Sequence, residues 1–174
     1  DLNDADGLGD LLISWESSGD GEVFTPYTDA FESTLLLTDD DVGLSFRGVV
    51  QYVDGRGTFE TVYSNVSEPV AAVNDPLTGG LTLSGLLSSG RTLKVDSAAI
   101  QDNDGLGAFS YAWYRAMDTA GPWSLVASAN EQTYTLIDED VGQFIQATVS
   151  YIDGQGFSES VTSHTDRTVL GGVV

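Results

Sequence analysis

Two acidic hexapeptides hold the most obvious chemistry in this sequence: DADGLG at residues 4–9 and DNDGLG at residues 102–107. Each sets two carboxylates one residue apart, Asp4 and Asp6 in the first and Asp102 and Asp104 in the second, and follows them with a glycine that permits a sharp turn. Loops of this kind offer the irregular oxygen ligation that calcium accepts, with six to eight oxygens at roughly 2.3–2.6 Å. The competing reading is a plain solvated turn, because Asp, Asn and Gly satisfy turn backbones without any ion. Neither stretch is an EF-hand: counting back from Gly105 or Gly7 puts Ile100 or Leu2 where that loop needs its first acid.

The hexapeptides belong to a longer internal repeat. Their offset of 98 residues also lays Trp15 on Trp113 and Ile13 on Tyr111, and further along LTDDDVG (37–43) matches LIDEDVG (136–142) and QYVDGRG (51–57) matches SYIDGQG (150–156). Within each copy the apolar period is two: Ile145, Ala147, Val149 and Tyr151 alternate with Gln146, Thr148 and Ser150, and Phe46, Gly48, Val50 and Tyr52 follow the same rhythm. Further strands are expected near residues 81–85, 91–95, 109–115, 133–137 and 157–163, between Gly, Asp, Asn and Ser clusters. Nothing reads as a helix. A repeat of about a hundred residues with roughly seven short strands and a strand-C tryptophan fits an immunoglobulin-like sandwich without its disulfide. The expected fold is therefore all-β, two tandem immunoglobulin-like β-sandwiches: an incomplete copy at 1–72 lacking its first two strands, a linker at 73–80 and a complete copy at 81–174. Missing strands would leave a sheet edge and a core face open in the first copy, a place for a dimer to form.

Composition narrows the partners. With 27 acidic against 6 basic side chains the formal net charge is −21, which argues against nucleic acid and anionic membrane and makes cations the natural counterpart. There is no cysteine, so neither disulfides nor thiolate zinc sites are available, and no apolar run reaches the length of a membrane span. The chain opens inside the acidic motif and so reads as a fragment whose targeting signal would lie elsewhere.

Up-and-down strand order decides which acids can meet. In the second copy it brings Asp102 and Asp104 of the B–C loop, Asp153 of the F–G turn, the incoming Asp75 and the inward-facing Glu159 to one pole. The equivalent set in the first copy is Asp4, Asp6, Asp54 and Glu60. Two carboxylates about 4 Å apart repel by about 4 kcal/mol at an effective dielectric constant of about 20, so a divalent cation is the simplest resolution. For Asp54 and Asp153 alone, a tight Asp-Gly hairpin turn is an equally good reading.

Support for catalysis is thin. The single histidine, His164, has Asn65 at the matching position of the first copy, and no serine nucleophile motif or cysteine accompanies it. Adjacent loop acids do not supply the separate acid and base roles of glycoside hydrolysis. Trp123, after Gly121-Pro122, is a candidate platform for stacking on a sugar; the bland reading is a tryptophan that covers the sheet.

The tryptophan, YTLxxxDVG (134–142), VSYxDGxG (149–156) and VNDPLTG (73–79) together resemble the tandem immunoglobulin-like or cadherin-like repeats of very large bacterial secreted and surface proteins, including RTX-type adhesins and related calcium-dependent exoproteins. The resemblance implies a non-enzymatic spacer or adhesion module, extracellular or on the cell surface, with neighbouring repeats as its first partners and calcium stiffening the array. A cell-surface glycan or protein ligand is a further partner it allows. The alternative is a carbohydrate- or protein-binding accessory module of a secreted enzyme.

Overall fold

The computed structural model describes residues 2–28 and 30–172. The chain divides into two compact units between Val73 and Asn74. Nearly all regular structure is antiparallel β. In the first unit β1 (Leu12–Ser18), β2 (Thr25–Pro26), β3 (Ser45–Val53) and β4 (Phe59–Tyr63) form one sheet in the order β2-β1-β3-β4. In the second, β5 (Thr82–Ser84), β6 (Thr92–Asp96) and β9 (Thr133–Thr135) make one sheet, and β7 (Ser110–Ala116), β8 (Ser124–Leu125), β10 (Phe144–Ile152) and β11 (Ser158–His164) make another in the order β11-β10-β7-β8. Three strands facing four make the second unit a β-sandwich. Residues 74–80, expected as a linker, belong to the second unit: Thr78 pairs with Gln101, and the Asp75 amide donates to Asp104.

Alternation builds the second core. Every other side chain of β10 points inward, and Ile145, Ala147, Val149 and Tyr151 are all buried. Ala147 lies opposite Trp113 of β7, whose ring is fully enclosed among Leu93, Val95 and Leu136 of the facing sheet and its flank. The indole N–H donates to the Glu131 carbonyl at 2.9 Å, so the one polar atom of the ring is satisfied.

The turn before β10 explains the repeated DxDVG stretch. Asp140, fully buried, accepts from the Ile137 amide and from the Tyr134 hydroxyl at 2.9 and 2.7 Å on Oδ2, and Arg115 Nη1 lies 3.3 Å from its other oxygen. In the first unit Asp41 accepts from the Thr38 amide on Oδ2 and from the Tyr27 hydroxyl on Oδ1, both at 2.8 Å. Both carboxylates close a single 3-10 turn and are turn caps.

The first unit departs further from a sandwich than the expected loss of two strands. Residues 34–36 correspond to β9 but form no strand. In the second unit β9 pairs only with β6; with no counterpart of β6 among the described residues, the ladder that would satisfy this backbone does not exist. The consequence is visible in burial. Leu37 is 43% exposed where its match Leu136 is 1%, and Trp15 and Val50 are half-buried where Trp113 and Val149 are fully enclosed.

Candidate metal centre

Backbone geometry first fixes the acidic loop of the second unit. Gly105 takes φ +92°, a conformation that a side chain would strain, and Gly107 packs so tightly on the Ile152 carbonyl that a Cβ would lie 1.9 Å from its oxygen. The Gly154 amide of the F–G turn donates to the Asp104 carbonyl at 2.9 Å. The two loops are thus laced through their backbones, which accounts for both glycines of DNDGLG. DADGLG repeats the arrangement: the Gly55 amide donates to the Asp6 carbonyl, and Gly9 abuts the Val53 carbonyl.

This lacing gathers the carboxylates. Asp102, Asp104 and Asp153 each offer an oxygen within 4.8 Å of the others, and so do Asp4, Asp6 and Asp54. In the second unit nearly every oxygen has a protein donor. Asp102 accepts from the Asp104 amide and the Tyr151 hydroxyl; Asp104 accepts from the Gln155 side-chain amide and the Asp75 amide; Asp153 Oδ1 accepts from the Gln155 and Phe157 amides. Asp153 Oδ2 accepts from none, although the residue is only 6% exposed. All of these donors are neutral, so three charges share a largely buried space without a cation. At such separations each pair repels by about 3 kcal/mol at an effective dielectric constant of about 20.

The other expected ligands stand around this group. Asp75 places a carboxylate oxygen within 4.8 Å of one on Asp104 and accepts from the Asn103 side chain. Glu159 is outside the three-carboxylate group: the register sets it opposite Tyr151, and its Oε1 accepts from Asn74 Nδ2 at 2.8 Å. Glu60 is likewise outside the first group, opposite Tyr52. Two further oxygens of the second pole have no donor and are buried, Asn74 Oδ1 beside Glu159 and Gln155 Oε1 beside Asp104. Neutral oxygens of this kind are suitable calcium ligands, and sequence reading passed over both residues because it sought only carboxylates.

The two poles differ at one position. Gln155 aligns with Arg56, whose Nη2 lies 3.0 Å from Asp6 Oδ1, where Gln155 Nε2 donates to Asp104 Oδ1 at 2.9 Å. The first pole therefore carries its own cation, and the second has none. Asp54 shares the turn chemistry of Asp153: backbone amides led by that of Thr58 hold its carboxyl below the usual range.

The tyrosines on these acids have a pH signature. The hydrogen bond to Asp4, with burial second, pushes the Tyr52 hydroxyl from 10.0 up to about 12, and burial followed by the bond to Asp102 raises Tyr151 as well. A hydroxyl that ionises later in the folded chain than in the unfolded one contributes stability that is complete below the unfolded value and lost as pH rises through the folded one. Stability should therefore fall between about pH 10 and pH 12, and Tyr52→Phe should flatten the part of that loss reported by the first unit; chemical denaturation followed across this range checks it.

Trp123 is half-buried, its ring 6.0 Å from that of His164 and tilted by 31°. Phe24 holds the matching place in the first unit, where it and Tyr63 sandwich the Arg47 guanidinium at 4.2 and 4.3 Å while Glu16 pairs with it. An aromatic after strand C thus packs on the outer sheet face in both units. Compared with known protein families and with curated proteins, the chain matches none.

Proposed function

We propose that this chain is a calcium-stabilised, non-enzymatic β-repeat, a spacer or adhesion module of a large extracellular or cell-surface protein, with the ion at the Asp102, Asp104 and Asp153 pole. One observation carries this reading: three carboxylates converge with only neutral donors, and the buried Oδ2 of Asp153 is left without a partner. A buried anionic oxygen with no donor is costly, and a divalent cation removes that cost and the mutual repulsion together. Asp75, Asn74 and Gln155 supply the outer oxygens that would complete the shell. At the first pole Arg56 already neutralises Asp6, so calcium binds there more weakly or not at all.

The accessory-module reading has less behind it. Its sugar platform, Trp123, is tilted against His164 and has a structural counterpart in Phe24.

Calorimetric titration of the full chain with calcium tests the proposal. One dominant site with a dissociation constant on the order of 10⁻⁴–10⁻³ M, typical of extracellular modules, is expected. Asp153→Asn keeps the turn acceptor and removes the charge, so it should lose the binding while folding normally. No heat from the unmodified chain at millimolar calcium would defeat the proposal.

A further inference from the structure

The outer face of the first unit's sheet, on the side away from Trp15, is apolar where the fold does not require it. Leu12 of β1, Val53 of β3, and Phe59 and Tyr63 of β4 point to this side and are 55%, 49%, 63% and 50% exposed. Register sets Val53 opposite Phe59, and Leu12 opposite Gln51, the next outward residue of β3, so these three side chains form one cluster with Tyr63 further along the same face. The second unit carries Ser110, Ile152, Ser158 and Thr162 at the four matching positions, also on an outer face whose core lies on the other side of the sheet. One sheet thus folds with hydroxyls at three of the sites that the other fills with Leu, Phe and Tyr. Packing does not demand the apolar side chains, and a contiguous exposed apolar patch marks an interaction site.

The face is also preorganised and neutral. Arg47 stands on it between the rings of Phe24 and Tyr63 and pairs with Glu16 at 2.6 Å, while Val49 is only 4% exposed. Aromatic and arginine side chains held in this way are the usual anchors of protein interfaces. Glu16 and Arg47 are the only charges that β1, β3 and β4 turn to this side, and they cancel. The chain as a whole carries −21, so a second copy is repelled over acidic surface and meets least resistance here. A sheet face packs on another about 10 Å away with side chains interdigitated, and the same face on both copies makes a closed two-fold pair.

We infer that the outer face of the β2-β1-β3-β4 sheet is a self-association surface, through which two copies of the chain meet by Leu12, Val53, Phe59 and Tyr63. The longest strand, β3, has nine residues. At about 3.4 Å per residue and about 4.8 Å between strands the face covers on the order of 500 Å² per copy, against roughly 800 Å² for a standard interface. The pair is therefore weak and reversible, with a dissociation constant on the order of 10–100 µM. The contact is apolar and the opposing charge is long-range, so salt strengthens the pair. Neither acidic pole takes part, and the association does not depend on calcium.

Sedimentation equilibrium of the full chain in chelator, at about 0.05 M and about 0.5 M salt, tests the inference. A monomer–dimer equilibrium that tightens about tenfold or more at the higher salt is expected. Leu12→Ser with Phe59→Ser places in the first unit the residues that the second unit carries at the same positions. This variant should fold with unchanged circular dichroism and associate at least about tenfold more weakly. Met117→Ser with Leu125→Ser removes two side chains that are 78% and 62% exposed in the second unit, and should leave association unchanged. A monomer at both salts up to millimolar protein would overturn the inference and leave the face to an unlike partner. A dimer that the first pair of substitutions does not weaken would overturn it by placing the contact elsewhere. So would a dimer that tightens as salt falls, by making the contact one between charges.

Discussion

Trp113→Ala should cost the second unit about 3–5 kcal/mol, while Trp15→Ala should cost the first unit about a third of that or less. The two tryptophans make the same hydrogen bond, from the indole N–H to the Glu131 or Glu32 carbonyl at 2.9 Å, and sit opposite Ala147 and Gly48 in the same register. Hydrogen bonding and strand pairing therefore cancel in the comparison. What differs is the second sheet: Trp113 is fully enclosed, and its removal leaves a cavity walled by Leu93, Val95 and Leu136, whereas Trp15 is half-exposed and truncation lets water in. Chemical denaturation of each variant, read by exchange protection within each unit, checks the ratio. Equal losses would mean that the first unit's face is covered in solution.

Gln155→Arg should make the second unit indifferent to calcium. Arg56 already places a guanidinium 3.0 Å from Asp6 at the equivalent position, so the substitution imports a tested geometry along with a positive charge. Saturating calcium at about a hundred times its dissociation constant adds about 2.7 kcal/mol to a folded state that alone binds it. For a unit of this size that is a rise in melting temperature of about 10–20 °C. In the variant the guanidinium takes the ion's place: the chelated protein should melt higher than the unmodified chelated protein, and calcium should shift it by less than a degree or two. The reverse change, Arg56→Gln, should create a calcium response in the first unit.

Much of this arrangement was legible from spacing alone. The repeated DxDGLG and DGxG stretches, placed on alternating strands, put Asp102, Asp104 and Asp153 at one pole, because up-and-down topology leaves the B–C loop and F–G turn no other place to go. Three features were not legible. Residues 34–36 have the composition of a strand, but a strand exists only where a neighbour completes its ladder, and that is a tertiary fact. Glu159 looked like a ligand because it faces inward; a single register step places it by Tyr151 and Asn74, outside the group of three. The difference between Arg56 and Gln155 is plain in VDGRG against IDGQG, yet its meaning depends on which carboxylate the side chain reaches.

The most direct measurement of the central claim is calorimetric melting of the full chain in chelator and in calcium at about a hundred times its dissociation constant, on the order of 10–100 mM. The account predicts that the transition of the second unit rises by about 10 °C or more with calcium while that of the first unit moves little. Coincident melting curves in the two conditions would contradict it.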